Sequence, residues 1–459
     1  MGVASMAALL KSQGHECDVL IQQAEGKNFF KALKDYQPGI IAFSCSTGRH
    51  VWANKVAGDI KASYDVLTVM GGMHPTLYPE EAIGEEHIDI LCVGEGEYPL
   101  LELADALKDG KDITGIKNLV VKKDGRTFHN EIRHLNDLDM LPCPDRGLYY
   151  KYAYNREMPI KRFITGVGCP FNCSFCHNHL LLRLYKGKGA FVRRKKVARV
   201  IEEVMAIKEK YPLQAVHFSD DLFITDTQWL EQFSHHYKSV VGLPFTCNIR
   251  ISYIDEKRVH LLKEAGCRAV TFGLESASEY LRNTIIAKGL SNAEIVNKVA
   301  LLKKAKICVL TTNMLGLPEE SLEDIYETIR MNRDMDVDYV RVFIAKPHKK
   351  TELFEYGKKN DLLEQAAYHN ENYENVDNIY FKTMHPREVK NLRYLFYVLM
   401  KFPALAYLSR WFIHWPFEAL YKRIFLLTSA WQERGFFRIQ WLQGFCLGLK
   451  IKSGRGRHF

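Results

Sequence analysis

Phe163-Ile-Thr-Gly-Val-Gly168-Cys169-Pro-Phe-Asn-Cys173-Ser-Phe175-Cys176 is the stretch that decides how the rest of this chain is read. Its first six residues have strand character and close on a glycine, and the next eight carry three thiols. Thiolates are the usual ligands of iron-sulfur clusters. Three of them on one short loop can hold three irons of a cubane and leave the fourth iron open. Two plainer readings compete: a zinc knot completed by His177 or His179, and three unrelated buried cysteines. The two histidines read more simply as loop residues than as ligands.

Downstream of the loop the pattern alternates between strand and helix. Strands are predicted near 162–167, 214–219, 244–248, 268–273, 307–313 and 338–344, with helices at 226–239, 255–265, 291–304 and 320–334. Six βα units predict a partial (β/α)6 barrel of TIM type over residues 159–380. Sites in such barrels form at the carboxyl ends of strands. Asp220 and Asp221 end the second strand, Arg250 lies past the third, Glu275 past the fourth, and Asn313 with the turn Gly316-Leu-Pro-Glu319 at the fifth. Taken singly, each of these is as well explained by a cap or a surface ion pair.

Upstream, residues 1–125 read as a doubly wound, Rossmann-like α/β domain. Helices are expected at 3–13, 27–36, 50–62, 78–85 and 97–108, and strands at 17–21, 39–44, 66–70 and 88–93. Glycine or polar loops follow the strands at Ser44–Gly48, Gly71–Thr76 and Gly94–Glu97, where ligands of such sheets bind. The chain opens on a helix, so a first strand and its loop are expected to be missing. Asp124-Gly125 predicts a hairpin, and a linker over 126–158 contains Leu141-Pro-Cys-Pro144.

The cysteine loop, with Phe175 before its last thiol, and the six-strand series resemble the radical S-adenosylmethionine (SAM) superfamily over roughly residues 160–350. The resemblance implies that Cys169, Cys173 and Cys176 hold a 4Fe-4S cluster whose open iron chelates the amino and carboxylate groups of SAM. One electron, from a donor such as reduced flavodoxin or ferredoxin, then yields methionine and a 5'-deoxyadenosyl radical that abstracts hydrogen from substrate. Ser219-Asp-Asp-Leu-Phe223 replaces the more common Gly-Gly-Glu and resembles the cobalamin-linked branch, which implies a SAM-side role for Asp220 or Asp221. It also implies that Arg250 pairs with the SAM carboxylate, Glu275 with its ribose, and Asn313 with the adenine side.

Gly71-Gly-Met-His-Pro-Thr76 and Val93-Gly-Glu-Gly-Glu97 look like the cobalamin-binding domain of that branch. Ser44, Gly71, Gly72, His74, Thr76, Gly94 and Glu95 are then the expected cobalamin contacts, the glycines because they let backbone approach a bulky ligand. No Asp-x-His-x-x-Gly loop is present, so His74 is not read as a lower cobalt ligand. The resemblance implies C-methylation of a small organic molecule or lipid, with cyclisation or rearrangement as alternatives. A methylthiotransferase would need a second cluster on Cys17, Cys45 and Cys92, which read as core residues. A non-catalytic cluster-binding protein is the remaining alternative.

The 459 residues are 47% hydrophobic, enough for several cores. Eleven cysteines suit a reducing compartment, and Val3–Leu10, broken by Lys11 and without a preceding basic residue, is not a signal peptide pattern. A cytoplasmic protein is expected. The net charge of +9 is concentrated between Arg387 and Arg457, where 13 Lys and Arg face three acids. Residues 388–449 also hold four of the six tryptophans, and the longest uncharged run there, Ile439–Leu449, is too short to span a membrane. The tail over 381–459 therefore reads either as helices lying on an anionic membrane, at its inner face, or as a helical cap over the barrel mouth. Nucleic-acid binding is a weaker third option, because the aromatics lie in strongly apolar runs.

Overall fold

Both faces of the N-terminal sheet are covered, and the alternation along its strands shows why. A computed structural model of the chain describes residues 2–437 other than 371, 372 and 374. Ile40–Ser44 (β1), Leu67–Gly71 (β2) and Ile90–Cys92 (β3) pair in parallel; Leu119–Lys123 (β4) and Arg126–His129 (β5) add an antiparallel hairpin, in the order β1-β2-β3-β4-β5. Ile90 and Cys92 join one core with Leu100, Leu103 and Leu119, while Leu91 joins the other with Val56, Ile60 and Ile88. Side chains of period two buried on both faces mark a sheet with helices on each side.

Cys17–Ile21, expected as a strand, forms none. Its backbone groups are taken elsewhere: the Tyr152 hydroxyl accepts from Ile21 N–H at 3.0 Å and lies 3.2 Å from Val19 O. Asp18 accepts from Val19 N–H at 2.8 Å and pairs with Lys151 at 2.6 Å. The segment is docked by side chains, so no ladder forms. The stretch after β2 also departs from an open loop, since Met73–Leu77 is a short helix.

The chain divides into two compact units, the first containing Met1–Phe171, Cys176–Asp221 and His369–Asn375 and the second Asn172–Phe175, Leu222–Tyr368 and the chain from Val376. The first holds, besides the N-terminal sheet, Ile160–Phe163 (β6) paired in parallel with Ala215–Phe218 (β9), and a ribbon of Gly166–Val167 (β7) with Arg193–Arg194 (β8). The second holds the parallel strands Phe245–Asn248 (β10), Cys267–Glu275 (β11), Cys308–Leu315 (β12) and Tyr339–Ile344 (β13). The strands of this half-barrel run β13-β12-β11-β10 in the second unit and β9-β6 in the first. Four of its helices start on side-chain caps, from Asp226, Asp255, Ser291 and Ser321, the last in a reciprocal box with Asp324. These are the residue types that satisfy the open amides of a first helical turn.

The C-terminal segment is helical over Pro386–Lys401, Pro403–Phe412 and Glu418–Phe437. The first of these buries ten residues, among them Tyr394 and Phe396, and packs on β13 and the helix Leu322–Asp334. Its Arg393 donates to Val342 O at 3.3 Å, and Gln432 accepts from Val340 N–H at 2.8 Å. These helices thus seal the free edge of β13, a different task from covering the barrel mouth. In Pro403–Phe412 only Ser409 is buried, and Trp411, Tyr407 and Leu427 are 78%, 73% and 71% exposed. No helix of the described residues is long and apolar enough to cross a membrane. Trp441 and the run Ile439–Leu449 lie outside the described residues.

Candidate functional site

Two glycines feed the cysteine loop. A Cβ on Gly166 would stand 2.8 Å from Arg193 O, and Gly168 has φ +87° with Phe191 O closer still. Only glycine lets β7 and its exit pass so near the neighbouring backbone. Asp220, 1% exposed, accepts from Thr165 N–H at 2.7 Å and from the Thr165 hydroxyl, with Arg194 at 3.5 Å. Burial raises its pKa to about 6 against the pull of Arg194 and Thr165. Asp221, exposed, accepts from Gly168 N–H at 3.0 Å. Asp220 is therefore an anchor of the strand that enters the loop, and Asp221 a clamp on the loop's first turn. Asn178 closes the loop by donating to the carbonyls of Cys169 and Phe171.

The described cysteines form no disulfide. Among the described residues Cys169, Cys176, His177 and His179 do not converge within reach of a single ion, as a zinc knot would require; thiolates of a cubane sit on separate irons and need no such convergence. Burial, with His179 nearby, lowers the His177 pKa to about 4, so its ring stays neutral. Cys45 and Cys92 are buried in the two different cores of the N-terminal sheet. Burial raises the thiol pKa of Cys45 and of Cys92 to about 12, which keeps both protonated in the core.

In the second unit Cys173 is 8% exposed, and Arg250 Nη1 lies 3.6 Å from its sulfur. Arg250 also donates to Lys288 O. Lys288 in turn pairs with Glu275 at 2.7 Å, and both are buried. Glu275 holds φ +66°, a left-handed conformation uncommon for a residue with a side chain, at the point where the β11–β12 register shifts. Arg250, Lys288 and Glu275 thus form one polar group at the carboxyl ends of β10 and β11. Sequence reading missed Lys288, which lies 13 residues past Glu275 in no recognisable motif.

Asn313 is placed differently from expectation. Its amide bonds Thr311 at 3.1 Å and Asn332 at 2.9 Å, and Asn332 lies on the helix Leu322–Asp334. Asn313 therefore faces the outer helix layer. In the turn that follows, Glu320 is 2% exposed and accepts from Gly316 N–H at 2.6 Å and Leu317 N–H at 3.3 Å. Burial raises its pKa to about 8.

In the first unit the glycine loops come together at the carboxyl ends of β1, β2 and β3. Ser44 pairs in register with Gly71. Gly72 has φ +97°, and a Cβ there would lie 2.7 Å from Cys45 O. Thr76 hydroxyl donates to Gly72 O at 2.7 Å and accepts from Gly94 N–H at 2.9 Å, tying two loops to one side chain. The Glu95 carboxylate is engaged by Arg193 and by Asn136 N–H at 2.8 Å, and Glu95 N–H donates to the Tyr185 hydroxyl at 2.9 Å. Its role is to fix the loop, through partners that lie 41, 90 and 98 residues along the chain. His74 is fully buried, stacked on His50.

The chain matches the family models of the radical SAM superfamily over residues 163–331 and of the B12 binding domain over residues 1–104. It is 32% identical over 371 residues to an uncharacterized methyltransferase of Pyrococcus horikoshii, covering 79% of each chain. The chain belongs to the radical SAM superfamily, in its cobalamin-binding branch. Among solved structures, this radical SAM chain superposes on the cobalamin-dependent SAM radical enzyme OxsB with a TM-score of 0.72 at 15% identity, over 95% of this chain and 69% of that one. It superposes on the radical SAM methyltransferase TsrM of Kitasatospora setae with a TM-score of 0.63 at 19% identity, over 74% and 69%.

The cofactors of this branch are a 4Fe-4S cluster, SAM and cobalamin, and the residues present fit them. Three thiols on a glycine-fed loop are the donor set of a cubane with one open iron. At the other site, the close approach at Gly72 bares loop backbone beside the exposed Ser44 and Ser46, which offers amides and hydroxyls to a nucleotide tail.

Proposed function

We propose that the chain is a cobalamin-dependent radical SAM C-methyltransferase acting on a small organic molecule or lipid. What carries this reading is the 32% identity with the Pyrococcus methyltransferase over 371 residues, beside family matches whose spans take in the glycine loops and the cysteine loop. On this reading residues 1–125 are the cobalamin unit, 126–158 a linker, 159–380 the barrel and 381–459 the tail. When bound, the cluster and SAM supply a carbon-centred oxidant, and cobalamin supplies a transferable methyl group.

Cys169, Cys173 and Cys176 hold the cluster, with Asn178 keeping the loop closed. Phe175 shields its last turn. Arg250 offers a guanidinium to the SAM carboxylate, and Glu275, held by Lys288, offers acceptors to ribose. Ser44, Gly71, Gly72, Thr76 and Gly94 receive the cobalamin tail. The electron comes from a reduced flavodoxin or ferredoxin.

The test is anaerobic reconstitution followed by incubation with SAM and reductant. A methyltransferase consumes SAM in two ways, so 5'-deoxyadenosine and S-adenosylhomocysteine should both form, with about four irons and one cobalt per chain. Absence of 5'-deoxyadenosine from protein with a filled cluster would refute the enzyme. 5'-Deoxyadenosine without S-adenosylhomocysteine would favour cyclisation or rearrangement.

The helices Pro403–Phe412 and Glu418–Phe437 are proposed to rest on anionic lipid at the inner membrane face, supported by the exposure of Trp411, Tyr407 and Leu427 among Lys and Arg. Replacing these three with serine should abolish flotation with anionic liposomes. Unchanged flotation would reject the contact. Deletion from residue 384 is a poor test, since it would also strip the buried helix Pro386–Lys401.

A further inference from the structure

His50 opens the helix His50–Lys61 behind β1, His74 lies in the short helix behind β2, and Glu81 lies in the helix Pro79–Ile83. His50 and His74 are 3% and 0% exposed, and their rings stack with centroids 3.7 Å apart and 13° between planes. Glu81 Oε1 stands 3.7 Å from His50 Nε2. One ring nitrogen of each histidine and one Glu81 oxygen lie within 4.8 Å of one another, a grouping matched by no other His, Cys, Asp or Glu set among the described residues.

Imidazole nitrogens are the commonest side-chain ligands of borderline divalent metal ions. Neutral imidazole is the form that binds metal ions. Asn370, fully buried, donates to both Glu81 oxygens at 3.0 and 2.8 Å. That is the outer support which fixes the orientation of a ligating carboxylate. Glu85 Oε1 stands 3.9 Å from His50 Nε2.

We propose that His50, His74 and Glu81 form a binding site for a borderline divalent cation, Zn2+ foremost, distinct from the cysteine loop. Around tetrahedral zinc, ligand atoms about 2.0–2.1 Å from the ion stand about 3.3 Å from each other. A small turn of the side chains brings the 3.7 Å separation of His50 and Glu81 to that value and splays the stacked rings. Two nitrogens and an oxygen suit zinc, whereas magnesium and calcium take oxygen ligands. The set leaves a fourth position for water, and the Glu81 side chain, 38% exposed, offers a path from solvent. The three ligands come from separate elements behind β1 and β2, so the ion would pin the two loops that carry Ser44 and Gly72. The site stands whether or not cobalamin binds.

The test uses the full chain with Cys169, Cys173 and Cys176 replaced by alanine, so that the loop thiolates take no zinc. Zn2+ is titrated against a chromophoric chelator, and Co2+ is used to record ligand-field bands. The expected result is one zinc per chain and cobalt bands without thiolate charge transfer. His50→Ala and Glu81→Gln should each weaken zinc at least about a hundredfold, and Asn370→Ala about 10–100-fold. Glu81→Gln keeps both rings and changes a partly exposed position, so it remains informative if His50→Ala fails to fold. Zinc affinity unchanged by Glu81→Gln overturns the site. So does failure of the parent chain to take up Zn2+ or Co2+ at micromolar metal, which would leave a hydrogen-bonded cluster in its place.

Discussion

The cysteine loop and the glycine loops behind β1, β2 and β3 occupy the same kind of position, the carboxyl end of a strand, yet they are built in opposite ways. At residues 169–176 the side chains are the purpose and the backbone is there to present them, with Gly166, Gly168 and Asn178 setting its path. Behind β1 to β3 the backbone itself is presented, and the side chains that matter, Thr76 and Glu95, face inward to brace it. Side-chain chemistry tolerates no substitution, whereas a braced backbone should fail by degrees.

The largest effect is therefore expected at the thiols. Cys173→Ala should reduce iron from about four per chain to near zero and abolish 5'-deoxyadenosine formation, as read by iron analysis and chromatography. Iron retained at the wild-type level would break the contrast.

Next comes the anchor behind the cysteine loop, which titrates. Asp220 has its pKa raised from 3.8 to about 6. The folded chain keeps a proton there that the unfolded chain releases, so this group's contribution to stability falls as pH rises from about 4 to 6, by up to about 3 kcal/mol. Asp220→Asn should flatten that part of the stability profile, measured from urea midpoints across the window.

Gly72→Ala combines a left-handed backbone with a Cβ 2.7 Å from Cys45 O. A cost of about 1–3 kcal/mol to the first unit is expected, together with loss of cobalt on reconstitution while iron is retained. Thr76→Val is the mildest change. It removes a hydroxyl bridging Gly72 O and Gly94 N–H and should cost about 1 kcal/mol with partial loss of cobalt.

The same contrast explains what could be read beforehand. Parallel strands such as β2 and β3 are mostly apolar stretches, and their local pattern agrees with their burial. The cysteine spacing is legible because one loop holds all the donors. Cys17–Ile21 misleads because a tyrosine 131 residues away supplies the hydrogen bonds a neighbouring strand would have supplied. Asn313 misleads by its face, since one residue of register decides whether a side chain meets the helices or the barrel interior. Arg193 and Tyr185 are invisible because each acts on Glu95 from far along the chain, and Lys288 because no motif links it to Glu275, 13 residues before it. The pairing of His50 with His74 is hidden likewise, although both follow strands.

The sealing of β13 by Arg393 and Gln432 bears on how the chain is made. A ribosome delivers β13 long before residue 432, so the nascent half-barrel carries an unpaired strand edge and an uncovered apolar layer while the last helices are still being synthesised. Such an intermediate is prone to sticking to its neighbours. Production of this protein should therefore depend on chaperone capacity and translation speed more than its finished stability would suggest.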